Sequence, residues 1–334
     1  MRTSTRTGRL IALAAATMAL GVLPPAPASA MDGTPTSVPC TVRLQAYPTL
    51  NGHAFMATTE IPDPFVRTTF RSTLGVGVAS NYPHYSLVVA GRELTASGDL
   101  LYANLGFEYQ QAIKSWLAMN VQMDIYGRLG TGLRAALTEG VRASTTGQVG
   151  WLVRVLETDR LYLSSSLSVS SNSTTRMDPL GFINGVIVNG GEVTDSTKLV
   201  TTTPTLLTTA GVRGAYELSK VVGLVGFAQA SAGDSYKLQE RSATYAAAGV
   251  GADVDFHKWL HAPLSLAVGY RVENYPATGD ESKALNHTNV VQFGYLSAGG
   301  FAISMDLTNE WLRKRPSSGP LHLVWPLLTM KYYF

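Results

Sequence analysis

The sequence predicts an all-β protein, a closed antiparallel transmembrane β-barrel of about twelve strands. Three observations lead there. Beyond residue 69 apolar and polar residues alternate with a period of two. The alternating stretches run to roughly 10 to 15 residues, where a soluble strand averages about five or six. The connections between them are alternately short and long. Composition agrees: 45% of the residues are hydrophobic and only 15% are charged, against about 25% charged in a soluble domain.

The first 30 residues stand apart. Arg2, Arg6 and Arg9 precede an apolar run from Leu10 to Leu23 and then Pro24-Pro25-Ala26-Pro27-Ala28-Ser29-Ala30. A basic start, an apolar middle and a small-residue exit make a secretory signal peptide, cleaved after Ala30. Those three arginines carry the whole formal excess of +3, so the remainder is neutral. A neutral exported chain has no electrostatic footprint for nucleic acid. Cys40 is the single cysteine. An intramolecular disulfide is therefore impossible, and Cys40 lies too far from the cleavage point to be a lipid-modified first residue. Beyond the signal no apolar stretch approaches the roughly 18 residues that a spanning helix needs.

Residues 31–68 contain Pro35, Pro39, Pro48, Pro62 and Pro64 without sustained periodicity. They read as an extended segment, either folded into the periplasmic mouth or lumen as a plug or left as a disordered leader. The barrel is expected over 69–334. Leu74, Val76 and Val78 alternate with small residues, and Leu101 to Tyr109, Leu117 to Ile125, Val149 to Val155 and Leu161 to Val169 continue the dyad. Seven more stretches follow at 205–218, 221–234, 243–257, 262–275, 287–298, 301–314 and 321–334. Such lengths suit a bilayer crossed at a tilt, for which about 9 to 11 residues suffice.

Short links are expected at 112–114, 158–159, 219–220, 258–261 and 298–300, and long ones at 81–99, 129–144, 171–204, 235–242, 276–286 and 315–320. Tight periplasmic turns and longer surface loops give this asymmetry. Phe334 is preceded at steps of two by Tyr332, Met330 and Leu328. Here the chain resembles the outer-membrane β-barrel proteins of Gram-negative bacteria, whose last strand ends in an aromatic residue. The resemblance implies a location in the outer membrane, contact with its lipid, and Tyr332 and Phe334 as a signal to the barrel-assembly machinery.

With the apolar set facing lipid, the alternate set faces the interior. Arg71, Glu108, Asp124, Arg154, Arg213, Glu217, Asp253, Asp255, Arg271, Glu273, Asp306, Glu310 and Lys331 all fall there. Mixed signs in a narrow barrel either pair across the strands, since an unpaired charge away from water is costly, or line a polar channel. Twelve strands lie between a filled small barrel and an open porin. The loop 171–204 carries the apolar run Pro179 to Val188. Phe182, Ile183, Val186 and Ile187 in it are candidates for a constriction, a contact with the outer leaflet or a hydrophobic-ligand site, or they pack on their own loop. Trp116, Trp151, Trp259, Trp311 and Trp325 are expected in interfacial girdles.

Three motifs suggest chemistry. Gly130-Thr131-Gly132-Leu133-Arg134-Ala135 follows a strand as a dinucleotide-binding turn does, but that strand alternates and no crossover repeats follow, so a short helix in a surface loop fits better. His84 and Ser86 pair a base with a nucleophile and resemble the His-x-Ser of outer-membrane phospholipases and lipid A deacylases. In those families an asparagine follows the serine, whereas Leu87 stands here. His257 and His261 have an i, i+4 spacing that needs a helical turn, which the strand pattern denies, and Asp253 with Asp255 offers too few oxygens for a cation site. No motif requires a cofactor or a metal. The expected function is a channel for passive or gated passage of small solutes, with hydrophobic-ligand uptake as a variant. A structural or surface-binding barrel is the rival, and a lipid acyl-hydrolase using His84 and Ser86 the third.

Overall fold

The computed structural model describes residues 47–56, 58–80, 85–89, 92–96, 100–131, 141–194, 197–234, 242–275, 284–297, 299–312 and 321–334. Residues 1–46, with the expected signal peptide and Cys40, lie outside the described residues, as do His84 and residues 132–140.

Two short strands come first, β1 (Thr49–Leu50) and β2 (His53–Ala54), joined by Asn51 at φ 44° and Gly52 at φ 88°. Two successive left-handed residues make a type I′ turn, the hairpin geometry that Asn-Gly favours because neither residue resists positive φ. β3 (Thr69–Ser80) opens the barrel. A separate hairpin, β4 (Tyr85–Val89) and β5 (Arg92–Ala96), follows it. Then come β6 (Leu100–Lys114), β7 (Leu117–Gly130), β8 (Val141–Glu157), β9 (Leu161–Met177), β10 (Val200–Glu217) and β11 (Val222–Gly233). β12 (Ala243–Asp255), β13 (Leu264–Tyr275), β14 (Ala284–Leu296), β15 (Phe301–Leu312) and β16 (Leu321–Tyr333) complete the set.

β3 and β6 to β16 form one closed barrel of antiparallel neighbours, sealed where β16 pairs with β3 from Tyr333↔Thr69 to His322↔Ser80. Closure leaves no unpaired edge, which is what allows a sheet to sit in hydrocarbon. The side-chain distribution inverts that of a soluble protein. Leu74, Val76, Val250, Phe293 and Met305 are each more than half exposed, while Asp306, Asp253 and Glu217 are fully buried. Water would not tolerate so extended an apolar belt; bilayer lipid requires it. Tyr216, Tyr295, Tyr332 and Trp116 are exposed near the short-turn, periplasmic end, at the level of an interfacial girdle.

Several connections differ from expectation. β9 runs to Met177 and β10 begins at Val200, so the loop expected over 171–204 narrows to 178–199. The outward residues here are Ser171, Ser173, Thr175 and Thr202; with polar groups on both faces the sheet carries no alternation to read. Residues 200–206 of β10 continue past its last pair with β11, Leu207↔Gly233, and stay paired with β9. The first short turn falls after Lys114, not at 112–114. Residues His257–Leu260 form a helical turn, α2, closed by His261 N–H donating to His257 O at 3.1 Å, where the strand pattern denied one. A turn between strands is free to adopt helical dihedrals because its backbone need not join the ladder. The longer helix α1 (Pro179–Val188) precedes it in the chain.

Trp325 corrects the girdle assignment. It is buried on the inner face, its ring 5.8 Å from Tyr102 and 5.2 Å from Tyr126. It shares the odd parity of Lys331 in β16, while the lipid-facing residues Val324, Leu328, Met330 and Tyr332 are even.

Candidate functional site

The barrel interior is occupied by residues 47–56 and 58–68. At the periplasmic end the Tyr47 hydroxyl donates to the carbonyls of Phe301, at 2.6 Å, and Ser297, and its ring meets Tyr333 edge-on at 5.1 Å. The hairpin β1–β2 then reaches the wall. Asn51 Nδ2 donates to Glu217 at 3.2 Å, and His53 Nε2 lies 3.1 Å from Asp253 Oδ1 with both side chains excluded from solvent. The other Asp253 oxygen accepts from Met56 N–H at 3.0 Å.

Further in, Asp306 Oδ2 accepts from the backbone N–H and the hydroxyl of Thr59 at 2.9 and 2.6 Å. Glu60 meets Arg271 at 3.3 Å, and Asp63 meets Lys331 at 2.5 Å. On the return, Gln110 Nε2 donates to the carbonyls of Phe65 and Arg67, and Val66 N–H donates to the Tyr162 hydroxyl. Phe55, Ile61 and Phe65 pack with Tyr162, Val225 and Phe227 in one apolar cluster. The segment is thus bonded to β6, β9, β10, β12, β13, β15 and β16, and several of its bonds join ions or carboxylates to backbone groups.

The wall is shaped to receive it. A Cβ at Gly251 would lie 2.7 Å from Ile61 Cδ1, and one at Gly269 2.9 Å from the same atom. Gly251 and Gly269 are direct partners across β12 and β13. A Cβ at Gly223 would lie 2.5 Å from the Phe55 ring, and one at Gly294 2.5 Å from Met56 Cε. All four glycines stand on the inner face. Any larger residue would occupy the volume the segment fills.

The thirteen charged residues expected inside all have inward parity, and the structure gathers them differently. Asp253, Asp306, Arg271, Lys331 and Glu217 hold the segment directly, and Arg213 donates to the Asp63 carbonyl at 3.1 Å. Glu217 also meets Arg160 at 3.5 Å. Arg71 and Glu108 pair with each other at 2.6 Å, Asp124 accepts from Gln122 at 2.7 Å, and Arg154 pairs with Glu157. Asp255 accepts from His257 N–H at 2.9 Å and Glu273 pairs with Arg271. Burial pushes the Glu60 carboxyl above its usual range, opposed by Arg271 and reinforced by Glu273. Burial also opposes ionisation of Asp63, but the Lys331 ammonium, their hydrogen bond and Arg213 outweigh it and hold that carboxyl low.

Beside Glu60 lies a cavity of about 210 Å³. Glu273, Glu310, Trp325, Tyr126, Leu327, Asn104 and Thr288 complete its lining. Glu310 therefore faces open volume.

The apolar run Pro179–Val188 is helix α1, started by Asp178, whose Oδ1 accepts from Gly181 N–H at 2.9 Å. Phe182 and Val186 are half-buried, and a Cβ on Gly185 between them would meet Thr197 Cγ2 at 2.7 Å. That face packs on its own loop, leaving Ile183 and Ile187 exposed. Ser86 stands opposite Thr95 in the β4–β5 hairpin, and its expected partner His84 is outside the described residues. No group of three metal-ligating side chains exists among the described residues. His53, Thr59, Glu60 and Asp63 escaped the sequence reading; the Asn51-Gly52 hairpin signal was the available clue that this segment folds.

No family model matches the chain, and no curated protein matches it. Solved structures do. An outer membrane channel from Pseudomonas putida F1 superposes with a TM-score of 0.52 at 12% identity, covering 84% of this chain and 100% of that one. The translocator domain of the autotransporter NalP from Neisseria meningitidis gives a TM-score of 0.45 at 10% identity, covering 80% and 89%. The likeness to the Pseudomonas structure is one of fold, a closed outer-membrane β-barrel.

Proposed function

We propose that this protein is an outer-membrane channel for small solutes, gated by its own N-terminal segment. The observation that carries the proposal is the fit between residues 53–63 and the inner wall. Glycines 223, 251, 269 and 294 clear space for the segment, and Asp253, Asp306, Arg271 and Lys331 bind it. A sealed structural barrel would fill its interior with side chains from its own strands. Here the filling is a separate stretch of chain, held by polar bonds that water can replace when it leaves and by the apolar packing of Phe55, Ile61 and Phe65. Passage requires that the segment move, and a cavity lined by Glu60 and Trp325 lies beside it.

Planar-bilayer conductance of the purified chain tests this, compared with a variant lacking residues 47–66. The full chain is expected to be closed or to open in brief steps, and the deletion to conduct steadily. Flat traces from both, with the barrel shown intact by heat-modifiable migration on a gel, would refute the channel. The outward-facing Tyr332 and Phe334 serve on this reading as the assembly signal, and no enzymatic step is assigned.

A further inference from the structure

The outer rim carries a feature that the segment does not explain. Arg128 on β7 is the direct partner of Arg142 on β8, and Arg142 the direct partner of Arg176 on β9. All three have inward parity in their strands. Direct partners have Cα atoms only about 4.5 to 5.5 Å apart, so three guanidinium groups stand in one row across the wall. Like charges placed opposite one another weaken a sheet, so a row of three arginines calls for anionic or polar groups among them. Asp178 meets Arg176 at 3.1 Å and offsets part of its charge.

The rows beneath are also unusual. Tyr126, Ser144 and Thr174 are successive partners, continued by Thr203 on β10. Below them Thr146, Asn172 and Thr205 repeat the pattern. Ser144 donates to Asn172 Oδ1 at 2.9 Å, and Thr174 donates to the same oxygen at 3.2 Å. On β8 to β10 the wall under the arginines is therefore a sheet of hydroxyls and amides, and on β7 Asp124 stands in the same row as Thr146. That sheet belongs to the part of β8 to β10 that extends past the pairing with β11, at the end of the long loops.

We infer that this row is a recognition site for anionic, hydroxyl-rich solutes, sugar acids or sugar phosphates, at the outer mouth. The guanidinium fork matches a carboxylate or a phosphate with two parallel hydrogen bonds, and arginine stays charged at every working pH. A row of three concentrates such anions at the mouth. The hydroxyl and amide rows offer donors and acceptors to a sugar's hydroxyls, which a bare anion would leave unused. The inference deepens the channel reading by naming the solute class, while binding at the mouth does not itself require conduction.

Isothermal titration of the full-length protein in detergent separates the possibilities, with glucuronate, glucose 6-phosphate, inorganic phosphate and neutral glucose as probes. Glucuronate or glucose 6-phosphate is expected to bind at least tenfold more tightly than glucose; which of them does so distinguishes carboxylate from phosphate. Arg142→Gln should remove that preference, and Arg142→Lys restore part of it. Equal binding of glucose and the charged sugars, or unchanged binding by Arg142→Gln in a protein that still shows heat-modifiable migration, would overturn the inference. Inorganic phosphate binding as tightly as the sugar phosphate would overturn the part assigned to the hydroxyl rows. Should Arg142→Gln fail to assemble, Arg176→Gln serves, since Arg176 is half exposed at the rim. Bilayer recordings keep the two proposals apart: anion binding without conductance would refute the channel alone, and conductance without anion binding would refute the arginine site alone.

Discussion

Lys331→Met tests the gate most directly. Lys331 belongs to the wall and Asp63 to the segment; they meet at 2.5 Å with side chains 13% and 19% exposed. Removing one partner of a buried pair leaves the other charge uncompensated, at a cost of about 3 to 5 kcal/mol. Arg213 lies close enough to compensate part of the Asp63 charge, which places the expected cost near the lower end, about 3 kcal/mol. The barrel does not have to bear that cost, because the segment relieves it by leaving the lumen and returning Asp63 to water. At about 1.4 kcal/mol per factor of ten, the open fraction is expected to rise roughly a hundredfold. The assay is the open probability of single channels in a planar bilayer. Asp63→Asn combined with Lys331→Met removes both charges and is expected to return most of the closed state. An open probability unchanged by Lys331→Met, or a double variant as open as the single one, would refute the coupling of this pair to the gate.

Gly251→Leu is expected to push Ile61 out of its place, since a Cβ there already lies 2.7 Å from it. Overpacking of about 1 to 3 kcal/mol predicts a rise in conductance that Ile61→Ala reverses. The two segment carboxylates give the gate a pH dependence of definite sign. The Glu60 carboxyl is raised in the seated state, so its contribution is present at low pH and lost as pH rises from the usual glutamate range through its raised value. The Asp63 carboxyl is lowered, so its contribution is present above the usual aspartate range and lost as pH falls through its lowered value. The channel is therefore expected to close best in acid between these two limits and to open as pH rises through the raised Glu60 value, and Glu60→Gln to flatten that upper limb in recordings across pH. Deletion of Phe334 is expected to lower the heat-modifiable, assembled fraction in membranes without changing synthesis. Ser86→Ala is expected to leave lipid hydrolysis by the purified protein at background; a measurable activity abolished by that change would restore the acyl-hydrolase reading.

How much of this could be read from the sequence depended on which environment wrote the pattern. Where lipid meets one face and the lumen the other, parity alone separates Leu328, Met330 and Tyr332 from Thr329, Lys331 and Tyr333, and all twelve barrel strands were legible. Above the bilayer that contrast vanishes: Ser171 to Thr175 is polar on both faces, and β9 and β10 proved longer than the alternation showed. Trp325 was misplaced because residue type was followed in preference to parity; its odd position beside Leu323 and Leu327 marks it as interior. The gate was the least legible, since its ligands are separated by up to about 270 positions in the chain, as Asp63 and Lys331 are.

The inner glycines point to a more general way of finding such a segment. Inward glycines such as Gly75 beside Leu327 and Gly249 beside Phe227 make room for side chains of the wall itself, whereas Gly223, Gly251, Gly269 and Gly294 each meet a side chain of the segment, though each gives up burial and adds chain entropy to be lost on folding. Those four, on the adjacent strands β11 to β14, are explained when a second stretch of chain supplies the missing volume. Phe55, Met56 and Ile61 do so. The inward position of each glycine follows from strand parity, while the side chain that fills it is read from the contacts. The proline-rich segment next to β3 is the stretch of chain within reach. A substitution series at the four positions then separates two roles. If the glycines serve the segment, each added methyl group raises conductance and leaves assembly intact. If they serve the curvature of the wall, assembly falls first and conductance never appears.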